Sequence, residues 1–398
     1  MRRLCITVLL GCSHLTAQTI SVFPGRVLQD ETATIRVTGL APGQHATIRS
    51  ELTDGADVPW AAHADFVADG EGSIVDPSMG LVWSMMPAAK NATTYVSPRN
   101  LAPQTIEFQL VVNGKKAAAA QLEQDTLAEG VRREPVREGD LRGMLFVPAG
   151  AERHPGVLVV GGSNGGVPSR QAAWLAAHGF VAFALAYFHY EDLPPMLEAI
   201  PLEYFQHGLG WLSKRPEVSG ERLAVMGTSR GGELALQLGS MFPIIGAVVA
   251  YVPANVRYPA CCGNTRVPYA WTWQGRPLAY ALPRFGQNPQ AAIEVERTRG
   301  PILMISGQND RLWQSSEMAD NVMSRLKRNH FEYSFENLKY AHAGHAAGRP
   351  DIRPTWHTAT RHPISGRIND LGGSPKGDAE SSIDSMPKVL AFLKQALH

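Results

Sequence analysis

From about residue 139 to the end of the chain, continuous apolar runs alternate with amphipathic stretches. The runs LRGMLFVP, GVLVVGG, VAFALAYF, RLAVMG, GAVVAYV, PILMISG and FEYSFENL hold few polar positions, as expected of strands covered on both faces. Between them, apolar residues recur at helical spacing over residues 170–178, 202–213, 233–241, 316–328 and 384–397. This alternation predicts an α/β fold with a mostly parallel sheet and helices on both faces. Catalytic groups then belong at the carboxyl ends of the strands.

Residues 20–125 follow a different rule. In ATIRVTGLAPG, HATIRSELTDG, HADFVADGEGS and TIEFQLVVNGK, apolar and polar residues alternate with a period of two, punctuated by Gly, Pro and Asp-Gly. Such short antiparallel strands are most economically folded into a small β-sandwich. Residues 123–138 are polar and rich in Glu and Arg, which suits a linker or an edge segment between this domain and a catalytic domain over 139–398. A length of 398 residues agrees with two domains.

The first residues, MRRLCITVLLGCSHLTAQT, depart from both patterns. Arg2 and Arg3 precede an apolar run over residues 4–11, which reads as a signal peptide over residues 1–17 and predicts an exported protein, periplasmic or secreted. Cleavage after Ala17 competes with lipid attachment at Cys12, because Leu9-Leu10-Gly11-Cys12 resembles a lipobox; Leu10 fits that motif poorly. The run is too short for a permanent membrane helix and no later stretch reaches the ~20 apolar residues one requires, so no integral span is expected.

Composition narrows the partner. Lys and Arg (37) nearly cancel Asp and Glu (36), and no basic run is present to neutralise a phosphate backbone, which excludes nucleic-acid binding and leaves a small molecule. Outside the leader the only cysteines are the neighbours Cys261 and Cys262, with neither a disulfide framework nor metal-ligand spacing, so neither metal nor cofactor is expected. Two reduced thiols are the favoured state, because a vicinal disulfide demands unusual geometry.

The central chemical signal is Gly227-Thr228-Ser229-Arg230-Gly231, placed between the strand RLAVMG and the helix GELALQLGSM. A nucleophile on a sharp strand-to-helix turn needs minimal side chains two positions either side, and the helix amino terminus favours the negative charge that develops there. A serine hydroxyl requires a base, and in this arrangement acid and histidine follow the serine. Asp310 lies after the strand PILMISG and His345 in AHAGH after FEYSFENL. His342 is the rival to His345, and Asp320 falls inside a predicted helix. For the oxyanion, backbone N–H groups are expected from Arg230 and from Ser163 or Asn164 in the loop Gly162-Ser163-Asn164-Gly165-Gly166, which has neither a Lys-Ser/Thr end nor a full G-x-G-x-x-G for a phosphate. The carboxylates of YEDLP, Glu191 and Asp192, read first as a solvated turn before a proline and only second as acid–base groups.

With these residues in place, the chain resembles the family of acyl-CoA thioester hydrolases and bile acid-CoA:amino acid N-acyltransferases. The resemblance rests on LAYFHYEDLPPMLEAIPLEYFQHGLGWLSKRPEV, GTSRGGELAL, ERTRGPILMISGQNDRLWQS, LGGSPKGDAESSIDSMPKVLAFL and, in the first domain, DPSMGLVWSMMP. It implies an α/β-hydrolase preceded by a β-sandwich, with Ser229 as nucleophile, Asp310 as acid and His345 as base. It further implies cleavage of an acyl thioester through an acyl-serine; family members that transfer acyl groups to amino acids characteristically carry cysteine at the nucleophile position. The leader departs from the pattern, since coenzyme A thioesters are kept inside cells, and brings in an exported carboxylic ester hydrolase with the same triad. A silent scaffold retaining the fold is the reading from another class. The polar, irregular run over residues 346–370 is expected to border the substrate channel.

Overall fold

The computed structural model describes residues 17–89, 91–282 and 288–397. The leader through residue 16, with Cys12, lies outside the described residues. Among those described, no helix is long and apolar enough to cross a membrane.

The amino-terminal domain stacks a three-stranded sheet (Thr19–Phe23, Thr34–Thr38, Ile74–Asp76) on a six-stranded one. The long antiparallel strands of the second sheet, His45–Thr53, Pro59–Val67, Gln104–Val112 and Lys115–Asp125, largely alternate more exposed with buried or half-buried residues, as a sheet with one wet face must. Val37, Ile48, Phe108, Leu110 and Leu122 are fully enclosed between the layers.

The carboxy-terminal domain is built on an eight-stranded sheet. Its strands are β1 (Arg132–Glu138), β2 (Leu141–Val147), β3 (His154–Val160), β4 (Val181–Ala186), β5 (Val218–Thr228), β6 (Ile245–Tyr251), β7 (Ile302–Gly307) and β8 (Phe335–Tyr340). They lie in the order β1-β2-β4-β3-β5-β6-β7-β8, antiparallel at β1, β2 and β4 and parallel from β4 onward. The polar segment before the domain is therefore an edge strand, where charged residues are tolerated because one side faces water. Every residue of β4 and β6 is buried, which accounts for their unbroken apolar sequences.

The helices are α1 (Ser169–Ala177), α2 (Leu202–Ser213), α3 (Arg230–Met241), α4 (Ser315–Arg328) and α5 (Pro375–Leu397). Two of the boundaries that differ from the sequence pattern have a local cause. Helix α5 starts at Pro375, ahead of the apolar periodicity, because Ser374 Oγ caps it by accepting from Gly377 N–H and proline occupies its first position. Its first turns bury small and polar residues, Gly377, Asp378, Ser381 and Ser382, against the loop around His345. Strand β8 begins at Phe335 rather than near residue 331; Phe331 instead packs on Tyr333 and Phe335 outside the sheet.

The two domains are joined through polar contacts as well as apolar ones. Gln29 O accepts from Ile352 N–H, Gln124 Nε2 donates to Ile352 O, and Arg170 on α1 donates to Gln29, Thr126 and the Pro98 carbonyl. Asp30 accepts from Trp174 Nε1 and pairs with His178. The segment after His345 is thereby pinned to the sandwich, and the cleft beside it has walls from both domains.

Candidate active site

Ser229 sits at the turn from β5 into α3 with φ 59° and ψ −118°, a strained conformation for any residue bearing a side chain. The turn closes only because its neighbours have no Cβ. One built on Gly227 would lie 1.9 Å from Gly231 O, and one on Gly231 would lie 2.5 Å from Gly161 O and Val160 O. The elbow is held by Ser229 N–H donating to Tyr251 O at 2.9 Å and by Glu233 N–H donating back to Ser229 O at 3.0 Å.

His345 Nε2 stands 2.9 Å from Ser229 Oγ, and His345 Nδ1 stands 2.8 Å from Asp310 Oδ2. The structure thus brings together the three residues singled out in the sequence, although they are separated by 81 and 35 positions in it. The second carboxylate oxygen of Asp310 accepts from Leu312 N–H (3.0 Å) and Trp313 N–H (3.2 Å), which fixes the plane of the group. The Trp313 ring packs edge-on against His345 with centroids 5.6 Å apart, and its Nε1 donates to Val252 O. Asp310 and His345 have side chains only 1% and 9% exposed, so their hydrogen bond is shielded from competing water.

The histidine loop depends on residues that sequence reasoning missed. Gly344 N–H donates to Asp378 Oδ1 at 2.8 Å, and His345 N–H donates to Leu371 O at 2.8 Å. Asn309 N–H donates to Ala343 O, and Gly373 N–H to Asn309 O, tying the acid loop to the histidine loop. The other Asp378 oxygen lies 3.1 Å from His357 Nε2. The Ser-Pro start of α5 was a usable signal for this arrangement, since an acid in the first turn of a helix faces its free N–H groups and whatever packs there. His342 is exposed, and its carbonyl accepts from Ser374 N–H, so its position serves the fold of this junction. Asp320 pairs with Lys339, while Glu191 and Asp192 pair with Arg137 on β1 and Arg142 on β2; none of these carboxylates reaches Ser229.

On the opposite side of Ser229 the Gly162-Ser163-Asn164 loop presses close. A Cβ on Gly162 would lie 3.4 Å from Ser229 Cβ, and Tyr187 Oη donates to Gly161 O at 2.6 Å to hold the loop's start. Ser163 Oγ is 3.2 Å from Nε2 of His362, a second residue missed in the sequence. His362 Nδ1 accepts from Ile364 N–H and Ser365 N–H, so its proton is on Nε2 and points at Ser163. Burial pushes this imidazole below the usual histidine range, with Arg367 and His189 acting in the same direction. Arg230 and Glu233 form an ion pair beneath the elbow, and Trp271 Nε1 donates to Glu233 Oε1 at 2.7 Å; burial pushes the Glu233 carboxyl up.

Two clefts meet at Ser229. One, of about 700 Å³, has a largely apolar wall of Tyr258, Leu282, Leu312 and Trp313 with Cys261 and Cys262. These two cysteines, expected as reduced thiols, are joined in a vicinal disulfide. The loop permits it because Cys262 adopts φ 82° while Cys261 N–H is anchored on Leu197 O. The other cleft, of about 420 Å³, runs from Ser229 and His345 to Thr94 and Tyr95 of the first domain. The irregular run over residues 346–370 borders it, including the hairpin of Ala359–Arg361 and Ile368–Asp370.

The strand order, the strained elbow and the hydrogen-bonded serine, histidine and aspartate define an α/β-hydrolase fold. Comparison with known proteins adds the family. The model described as "Acyl-CoA thioester hydrolase/BAAT N-terminal region" matches residues 30–138, and "BAAT / Acyl-CoA thioester hydrolase C terminal" matches residues 200–261 and 279–398. The chain is 31% identical to Acyl-coenzyme A thioesterase 6 of Mus musculus, covering 96% of this chain and 97% of that one. It is 31% identical to Acyl-coenzyme A thioesterase 1 of Homo sapiens (94% and 95% covered) and 30% identical to the Peroxisomal succinyl-coenzyme A thioesterase of Mus musculus (96% and 97%). The chain belongs to the acyl-CoA thioester hydrolase/BAAT family.

Proposed function

We propose that this protein hydrolyses an acyl thioester through an acyl-serine intermediate. The observation that carries the reading is the Ser229–His345–Asp310 hydrogen-bonded relay. Ser229 Oγ attacks the thioester carbonyl carbon while His345 Nε2 takes its proton, and Asp310 holds Nδ1–H and stabilises the imidazolium. The oxyanion is received by backbone N–H groups of Arg230, at the start of α3, and of Ser163 or Asn164. Collapse breaks the C–S bond, and His345 returns the proton to the leaving thiolate. Water, deprotonated by the same imidazole, then attacks the acyl-serine, and His345 passes that proton to Ser229 Oγ as the acyl C–O bond breaks, which releases the carboxylic acid and free Ser229. Serine at position 229 supports water as the acceptor, in contrast to amino-acid transfer. The apolar wall of the larger cleft fits an apolar acyl chain, and the polar cleft toward the sandwich domain fits an acyl or leaving group that carries charge.

The amino-terminal leader supports an exported enzyme, released by cleavage near Ala17 or tethered through Cys12. Cell fractionation with amino-terminal sequencing tests this, and intact Met1 in the cytoplasmic fraction would refute it. Export favours a second reading, a carboxylic ester hydrolase using the same triad on an oxygen ester. Turnover of a panel of acyl-CoA thioesters and aryl esters by purified protein separates the two: a preference for oxygen esters across matched acyl groups would overturn the thioester reading.

A further inference from the structure

Among the described residues, the cleft on the side of the sandwich domain is lined by four guanidinium groups, Arg170, Arg349, Arg353 and Arg361, and by a single carboxylate, Asp351. Three of the four cations are engaged. Arg353 Nε pairs with Asp351 at 3.0 Å, its Nη1 donates to Ser97 Oγ, and it lies over the Tyr95 ring. Arg170 donates to two neutral side chains and a carbonyl, and Arg361 to Gly366 O. Arg349 is different: among the described residues its guanidinium makes no hydrogen bond and no ion pair. The one acid in the cleft is already taken by Arg353.

A half-buried cation without a partner is costly, because it has lost part of its hydration and gained nothing in return. The strain shows in Arg349 itself, whose pKa is brought down to about 10 by burial and by the charge of Arg353, against the weaker pull of Asp351 and Asp378. It nevertheless stays charged at neutral pH. Guanidinium presents a planar fork of donors that matches two oxygens of a carboxylate or a phosphate. Because Arg349 and Ser229 share one cleft, the anion and the reacting carbonyl can belong to one molecule.

We infer that Arg349 is a specificity-determining residue that binds an anionic group of the substrate while the carbonyl is held at Ser229. This rests on the thioester hydrolysis proposed above. The anion is either a carboxylate at the far end of the acyl group or a phosphate of the leaving group, and both present the same pair of oxygens.

The test uses the full chain with four substrates, succinyl and butyryl thioesters each of coenzyme A and of N-acetylcysteamine, which has no phosphate. Arg349→Gln and Arg349→Lys are compared with wild type by kcat/KM ratios, and thermal melting with succinate or with coenzyme A supplies a readout independent of turnover. Losing one charge-assisted contact of this kind should cost about 10- to 100-fold. A fall of that size in the succinyl-to-butyryl ratio for the N-acetylcysteamine series, partly restored in Arg349→Lys, assigns the acyl carboxylate. A fall confined to the coenzyme A-to-N-acetylcysteamine ratio assigns a phosphate. Either result should be matched by a ligand-induced rise in melting temperature that Arg349→Gln lacks. Ratios and melting shifts equal in wild type and Arg349→Gln would overturn the inference. If wild type cleaves no thioester yet is stabilised by these anions only when Arg349 is present, the anion site stands and the thioesterase reading falls. Removing an unpartnered cation that repels Arg353 should not unfold the protein, which unliganded melting verifies.

Discussion

Replacing Asp378 with alanine should damage catalysis although the residue touches neither Ser229 nor His345. Its side chain is 2% exposed and faces two donors, Gly344 N–H at 2.8 Å and His357 Nε2 at 3.1 Å. Truncation strands both in a buried place. Each hydrogen bond to a charged acceptor contributes about 1.5–3 kcal/mol, and a non-additive pair gives an expected loss of about 3–5 kcal/mol of stability. The same change frees the backbone one residue before His345, so the 2.9 Å approach of Nε2 to Ser229 Oγ is no longer enforced. Misplacement of a catalytic group by about 1 Å can cost on the order of 100-fold in rate. Asp378→Asn keeps an oxygen for Gly344 N–H and should recover most of the activity, while stability recovers less because its amide meets His357. Urea unfolding and kcat/KM for the three proteins, compared below the temperature at which Asp378→Ala unfolds, provide the measurements. An Asp378→Ala protein within about two-fold of wild-type kcat/KM would refute the view that this carboxylate positions the base.

His345→Gln should lose activity nearly as completely as removal of the nucleophile, whereas exposed His342→Gln should cost little; the opposite order in kcat would move the base. Asp310→Asn should lose on the order of 10⁴-fold in kcat, because Leu312 and Trp313 N–H draw the amide oxygen to their side and leave its NH₂ against His345 Nδ1, enforcing the wrong tautomer. A kcat equal to that of wild type in Asp310→Asn would remove Asp310 from the triad. The depressed pKa of His362 sets a pH dependence: between its folded value and the ordinary histidine value of about 6.5, the unfolded chain binds the proton first, so stability falls as pH drops through that range. Urea midpoints from pH 7.5 to 5.5 should therefore decline less in His362→Gln than in wild type, and an equal decline would show that His362 is not the titrating group.

The Ser229 elbow and the sheet that carries it were legible because their constraints are local. Gly227 and Gly231 flank Ser229 for a steric reason that any sequence with this turn must satisfy, and fully buried strands such as β4 and β6 announce themselves as unbroken apolar runs. Asp378 and His362 were missed because each acts through a backbone group or hydroxyl far away in sequence: the Ser-Pro helix start marks the place of Asp378 but not its partner, and nothing in the neighbourhood of His362 marks its contact. The early start of α5 escaped an apolar-period reading since its first turns pack through small residues against loops rather than through a greasy stripe. The disulfide was misjudged for a similar reason: whether neighbouring cysteines join depends on a backbone conformation at Cys262 that the composition of the loop does not reveal.

The central claim is that Ser229 carries the acyl group. Mass spectrometry of the protein quenched during turnover of an acyl thioester, and separately after reaction with a fluorophosphonate, reads this directly. The account predicts that both adducts map to the peptide containing Ser229, and that folded Ser229→Ala forms neither and loses about 10⁴-fold or more in kcat. Adducts on another residue, or turnover near wild type in folded Ser229→Ala, would contradict it.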